Sequence, residues 1–219
     1  MTPVSPSLNL EHEILREYST IIALDEVGRG ALAGPVAVGA AVMDAERSRL
    51  TMPEGLRDSK LVPEKKRADL ARRAAEWVPV NAVGWASAGE VDALGIIRAL
   101  GLAASRAITA VCVAPIDLSS ALVVLDGNHD YVSSAHHQRI TVRSVIKGDR
   151  DCASVSAASV IAKVARDTHM AQLHAEFPQY HWERNKGYAS ATHREAIRQL
   201  GLSPHHRASW AIADAPALF

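Results

Sequence analysis

The sequence predicts an α/β domain. Apolar, β-branched runs of strand length recur between residues 19 and 146, helical spacing interleaves with them from residue 63, and the last third is the more helical. The 219 residues, 48% hydrophobic and 22% charged, suffice for one substantial core or two small ones.

Residues 1–8 hold two prolines and two serines and read as a loose tail. Residues 19–24 (STIIAL) form a first strand, ending at Asp25. Residues 36–43 (VAVGAAVM) form a second, and the turn-rich EVGRGALAGP between them makes the two neighbours with a tight connection. Residues 63–77 open with proline and continue in strong helix formers, so they predict a helix. Residues 79–86 (PVNAVGWA) give a third strand. Residues 90–112 carry Val91, Leu94, Ile97, Ala104 and Ile108 at helical spacing, with a break expected at Gly95 or Gly101. Residues 121–125 (ALVVL) are a buried strand ending in Asp126-Gly127. Residues 140–146 alternate as a strand and run into Lys147-Gly148-Asp149. Residues 153–176 form the longest helix, whose small early residues call for close packing. Residues 192–200 form a short helix stopped by Gly201.

Lys+Arg and Asp+Glu both number 24, so bulk charge predicts neither a nucleic-acid nor a membrane partner. No window approaches the ~18 consecutive apolar residues of a membrane span. The N-terminus lacks the basic start and apolar run of a signal peptide, so a cytoplasmic location is expected. Cys112 and Cys152 lie among apolar or small residues and read as buried thiols rather than a disulfide framework.

Strands ending at Asp25 with Glu26, at Asp126 and at Asp149 can bring acids to one edge of a sheet, where open α/β sheets bind ligands. Crowded carboxylates raise each other's pKa unless a cation intervenes, and hard oxygen donors suit Mg²⁺ or Mn²⁺. A pair of such ions can activate water on one side and stabilise a leaving oxygen on the other. Each acid alone could be a helix cap or turn former; the repetition at strand ends favours a site.

Gly28-Arg29-Gly30-Ala31-Leu32-Ala33 matches one form of the dinucleotide-binding fingerprint, but that needs a helix at the glycines, and a strand follows here. The two acids just before it would also repel a pyrophosphate. A loop whose backbone comes close to a ligand is the better reading.

Together these residues resemble the bacterial type 2 ribonuclease H family, ribonuclease HII. The matching stretches are DEVGRG at 25–30 with AGPV at 33–36, DSK at 58–60, DGN at 126–128, VIKGD at 145–149, SAASVIAKVARD at 156–167 and KGY at 186–188. They span roughly residues 19 to 210. The resemblance implies a ribonuclease H-like mixed sheet flanked by helices, with 1–17 as a tail, 18–219 as the domain, and a helical extension from about 178. It implies hydrolysis of the RNA strand of RNA–DNA hybrids, and of single ribonucleotides embedded in duplex DNA, leaving 5′-phosphate and 3′-hydroxyl ends. It implies Asp25, Glu26, Asp126 and Asp149 as catalytic ligands of Mn²⁺ or Mg²⁺, and Gly28, Arg29 and Gly30 against the ribose 2′-OH, the group that separates RNA from DNA. Tyr188 would pack on the deoxyribose beside a lone ribonucleotide, and Lys60 and Lys163 would face phosphates. A cytoplasmic monomer without a membrane partner is expected. Two departures stand out: Ala189-Ser190 replaces the family's frequent Gly-Thr, and Asp151 adds an acid beside Asp149.

Lys60, Lys65, Lys66, Arg67, Arg72 and Arg73 gather near one predicted helix, as a solvated face or a nucleic-acid contact. Arg139, Arg143, Lys147 and Arg150 form a second basic stretch. His136-His137 and His205-His206 lack zinc-like spacing and read as structural or loop residues. Trp77, Trp85, Trp182 and Trp210 read as packing residues. A nuclease acting on DNA junctions is the enzyme alternative, which the GRG loop disfavours. A hybrid-binding module without chemistry is the non-enzyme alternative, which the intact acid set disfavours.

Overall fold

The computed structural model describes residues 5–113, 116–136, 138 and 140–210. Five strands form one sheet: β1 (Thr20–Val27), β2 (Val36–Asp44), β3 (Asn81–Ala86), β4 (Ala121–Asp126) and β5 (Thr141–Val145), in the order β3-β2-β1-β4-β5. The tight β1–β2 connection makes an antiparallel pair, and β3 adds antiparallel to β2. β4 and β5 run parallel to β1, because the chain returns through helices α3 (Ala88–Leu94) and α4 (Ile96–Val111) before β4. Strand β1 is therefore central, and Asp25 and Glu26 lie inside it rather than beyond its end.

Period-two alternation sends the side chains of β1 into two cores. Ile21 and Ala23 pack beneath α2 (Glu64–Trp77) and α6 (Ala153–Glu176), while Ile22 and Leu24 face α4. The small residues of α6 let it come close: a Cβ on Gly39 of β2 would lie 2.4 Å from the Ala158 carbonyl oxygen. The helix predicted over 90–112 breaks at Gly95 (φ 76°) and not at Gly101, which stays inside α4 with Tyr131 close against it.

Two expectations need correction. Strand β5 stops at Val145, Lys147 turns the chain through a left-handed conformation (φ 60°), and Asp149 sits in the short helix α5 (Gly148–Asp151), not at a strand end. The segment expected as a tail is docked over its described part. Helix α1 (Asn9–Ile14) buries Ile14 in the α6-side core, and Ser7 bridges to Cys152. Glu11, buried, accepts from the backbone N–H and hydroxyl of Ser154 at 2.8 and 2.7 Å, so α1 supplies the missing cap of α6.

The C-terminal part, with α7 (Trp182–Asn185) and α8 (Ala191–Leu200), builds a small third core around Leu32, Met170, Tyr180, Trp182 and Ile197. Trp77 and Trp182 are buried, Trp85 is tilted against His169, and Trp210 lies under Arg207. Cys152 is buried, Cys112 half-buried, and both are free thiols. Among the described residues no helix is long and apolar enough to cross a membrane.

Candidate active site

Adjacent residues of a strand point to opposite faces, yet Asp25 and Glu26 both end at one corner of the sheet, where a cleft of about 520 Å³ opens. Asp25 is buried. Its burial, foremost, and the charges of Asp126, Glu26 and Asp149 push its carboxyl well above the usual range, partly offset by a hydrogen bond with Ser159. Glu26 meets the Tyr131 hydroxyl at 3.4 Å and Arg29 Nη1 at 3.5 Å. Asp126 closes β4, the parallel neighbour of β1, and accepts from the Asp149 backbone N–H at 3.2 Å. Burial and the charge of Glu26 raise its pKa. Burial and the charge of Asp126 likewise raise Asp149. The turn after β5 thus replaces a strand end as the device that delivers the fourth acid. Asp151 is outside the group: it forms a two-point ion pair with Arg150 at 2.7 Å, which lowers its pKa.

The loop from Gly28 to Pro35 forms the cleft's second wall. Gly28 takes φ 86°, and a Cβ there would lie 2.1 Å from Arg166 Nε, so both backbone and space demand glycine. Gly30 is different: nothing lies within 4 Å of where its Cβ would be, and its backbone is not in the positive-φ region. The fold gives no reason for glycine at 30; a ligand approaching the cleft wall would.

Lys60, Lys163 and Tyr188 also line the cleft, with Ser59 and Arg67. Lys60 Nζ stands 3.4 Å from Asp149 Oδ2. Burial works against its charge, but Asp58, Asp149 and Asp25 outweigh it and raise its pKa. Lys163 is half-buried or more and held by Asp167 at 2.6 Å, so its ammonium already has a partner. Tyr188 is 37% exposed, its ring over the Arg166 guanidinium at 5.4 Å. The basic cluster around α2 divides. Arg67 turns toward the cleft, donating to the Ser59 and Val62 carbonyls at 3.1 and 2.9 Å. Arg72 and Arg73 pair with Asp69 and Glu76 on the solvated face. In the second stretch, Arg143 pairs with Glu13, and Arg139 lies outside the described residues, as does His137.

Sequence reading gave no role to Tyr131, Arg166 or Arg207. Tyr131 is buried against the acids; burial, foremost, and the charge of Glu26 push its phenol well above 10, so it stays a neutral donor. Arg207 donates to the carbonyls of Gly28 (2.7 Å), Arg29 (2.9 Å) and Gly34 (3.1 and 3.2 Å). The only signal for the arginines was a charged residue amid otherwise buried neighbours, which is not readable without the fold. His206 and His193 are buried with Trp182 in the third core, as structural histidines.

The donor chemistry suits a hard divalent cation: carboxylate oxygens only, three of the four with pKa values raised by burial first and by one another's charge second. Among the described residues, no three acidic, histidine or cysteine side chains stand at the spacing of a closed ligand set around one ion.

The fold is similar to that of a solved ribonuclease H. Ribonuclease H2 from Pyrococcus horikoshii OT3 is 26% identical, with a TM-score of 0.69 over 89% of this chain and 95% of that one. The protein is a ribonuclease H-fold nuclease. The family model described as Ribonuclease HII matches residues 22–213. Ribonuclease HII of Streptomyces avermitilis is 49% identical over 216 residues, 97% of this chain and 87% of its own. That of Nitrosomonas europaea is 43% identical over 202 residues, 92% of this chain and 87% of its own. The chain belongs to the ribonuclease HII family and is an endoribonuclease that hydrolyses the RNA strand of RNA–DNA hybrids.

Proposed function

We propose that the enzyme also cuts at single ribonucleotides embedded in duplex DNA, by metal-assisted hydrolysis that leaves 5′-phosphate and 3′-hydroxyl ends, working as a cytoplasmic monomer. The observation that carries this reading is the cleft itself, with crowded, partly buried acids on one wall and an unhindered glycine loop on the other. Asp25, Glu26, Asp126 and Asp149 would hold Mg²⁺ or Mn²⁺. When bound, such ions lower the pKa of water and neutralise charge on the leaving oxygen.

The chain's own residues do the rest. Gly28, Arg29 and Gly30 bring backbone against the ribose, where the 2′-OH is both donor and acceptor. Lys60, exposed at the acid edge, meets a phosphate oxygen; Lys163 lines the same cleft, oriented by Asp167, and faces a further phosphate. Tyr188 offers its ring to the next sugar, which fits closely only if it lacks a 2′-OH. Tyr131 fixes Glu26.

The test is a DNA duplex with one ribonucleotide, an all-DNA duplex and a continuous hybrid, each with Mg²⁺, with Mn²⁺ and with excess chelator. Cleavage of the first and third only, lost in chelator, with phosphate mapped to the 5′ end, is expected. Cleavage of the all-DNA duplex, or robust turnover in chelator, contradicts the reading.

A further inference from the structure

Arg166 is fully buried, and among the described residues no carboxylate stands within ion-pair distance of it. An uncompensated guanidinium in the interior is expensive, so its retention calls for a reason beyond packing. Its bonds supply one. Nε donates to the Pro35 carbonyl at 2.9 Å and Nη2 to the Ala33 carbonyl at 3.2 Å, both on the glycine loop. Nη1 donates to the Lys186 carbonyl at 2.9 Å, on the segment that carries Tyr188. The same guanidinium lies 5.4 Å from the centre of the Tyr188 ring.

The two segments it joins are also stitched directly. The backbone N–H groups of Leu32 and Ala33 donate to the Gly187 carbonyl at 2.8 and 3.2 Å. Burial lowers the pKa of Arg166, and its three carbonyl partners hold the planar fork in one orientation.

We propose that Arg166 is a positioning residue for substrate selection. It sets the distance and angle between the loop that meets the ribose and the tyrosine that meets the following sugar, and so defines the ribonucleotide–deoxyribonucleotide step the enzyme accepts. This rests on the reading of Tyr188 given above. A continuous hybrid presents a ribose at every step and needs only the loop in place. A lone ribonucleotide needs both contacts in register at once, so it depends on the clamp. Lysine cannot replace arginine here: one ammonium cannot reach three carbonyls on two segments and offers no flat face to the ring.

The experiment measures kcat/KM on a continuous hybrid and on a single embedded ribonucleotide for Arg166→Lys, Tyr188→Ala, Gly187→Ala and the Arg166→Lys/Tyr188→Ala double variant, with melting temperatures. Gly187→Ala opens the same seam without touching Arg166, since its Cβ would lie 2.3 Å from the Ala33 carbonyl oxygen, and it serves if Arg166→Lys does not fold. The expected result is a loss of about tenfold or more on the embedded ribonucleotide and about threefold or less on the hybrid for Arg166→Lys, roughly the pattern of Tyr188→Ala. In the double variant the two selectivity losses should not add, because both act through one contact. Equal losses on both substrates for Arg166→Lys or Gly187→Ala, with Tyr188→Ala still selective, overturn the positioning role and leave the Tyr188 reading intact. Equal losses for Tyr188→Ala itself overturn that reading and the proposal together. Fully additive selectivity losses in the double variant overturn the link between the two residues.

Discussion

The two walls of the cleft treat charge in opposite ways. On the acid wall, Asp25 and Glu26 line the cleft with Asp126 and Asp149 close behind them and Lys60 as a partial counter-charge, and the pKa values of Asp25, Asp126 and Asp149 are raised. On the loop wall, Arg166 and Arg207 have no acid partner among the described residues, yet each donates to three carbonyl oxygens. The first wall holds unresolved repulsion, which a cation can relieve and which therefore favours binding one. The second is satisfied internally, so it is rigid, and rigidity is what the proposed sensing of a single ribose hydroxyl would require.

Breaking the acid wall should have the largest effect. Asp126→Asn keeps the shape and removes the charge of one proposed ligand. Activity should fall on the order of 10³-fold, several kcal/mol of transition-state stabilisation. Without divalent cation at pH 7 its melting temperature should rise, since one repelling charge is gone. Near-normal turnover would remove Asp126 from the catalytic set, and an unchanged or lower melting temperature would argue against stored repulsion.

Breaking the loop wall should show the reverse signature. Arg207→Met leaves the carbonyls of Gly28, Arg29 and Gly34 without their donor and should destabilise the fold by about 2–3 kcal/mol, read by denaturant titration. A variant as stable as the parent would mean that those carbonyls find other partners.

Gly30→Ala should separate stability from activity. The added methyl meets no protein atom within 4 Å, so stability should change by less than about 0.5 kcal/mol. On the proposed reading, in which the ribose approaches this loop, activity should nonetheless drop by roughly tenfold, a cost of about 1.4 kcal/mol. Full activity would place the ribose elsewhere.

The smallest effect is on pH. His193 Nδ1 donates to the Tyr188 carbonyl at 2.8 Å, and its Nε2 meets Trp182 Nε1 and His206 Nε2 at 3.0 and 3.1 Å. That network needs both rings neutral. Burial, followed by the neighbouring His193, lowers His206 from 6.5 to about 4. As pH falls from 6.5 toward 4, the unfolded chain takes up a proton the folded one refuses, so this contribution to stability is complete above 6.5 and lost on the way down. Asp25, Asp126 and Asp149, with raised pKa values, act in the opposite sense over their own range. The check is ring titration by NMR: His206 should remain neutral at pH 5.5 and His193 should titrate below 6.5, and a midpoint near 6.5 for either would contradict the network.

The helices over 64–77 and 153–176 and the strands of the sheet were legible because burial imposes a period of 3.6 or 2 on the sequence. The acids at 25, 26 and 126 were legible for a related reason: a charged residue at the edge of an apolar run interrupts the pattern that the core imposes. Helix α1 escaped notice because it is six residues long and owes its place to the Glu11–Ser154 contact across 143 positions. Asp149 was legible as an acid, but not as part of a turn, since the left-handed Lys147 leaves no mark in composition.

The longer strands and helices, the candidate acids and the glycine loop follow from the order of the residues, because each is a local pattern or a contiguous motif. The tertiary structure alone decided that Arg166 and Arg207 lie beneath that loop, that Tyr131 stands over Glu26, and that Gly28 and Gly30 are glycine for different reasons. Those contacts join residues more than 100 positions apart. Burial makes them strong, and burial is a property of the folded chain, invisible in the order of its residues.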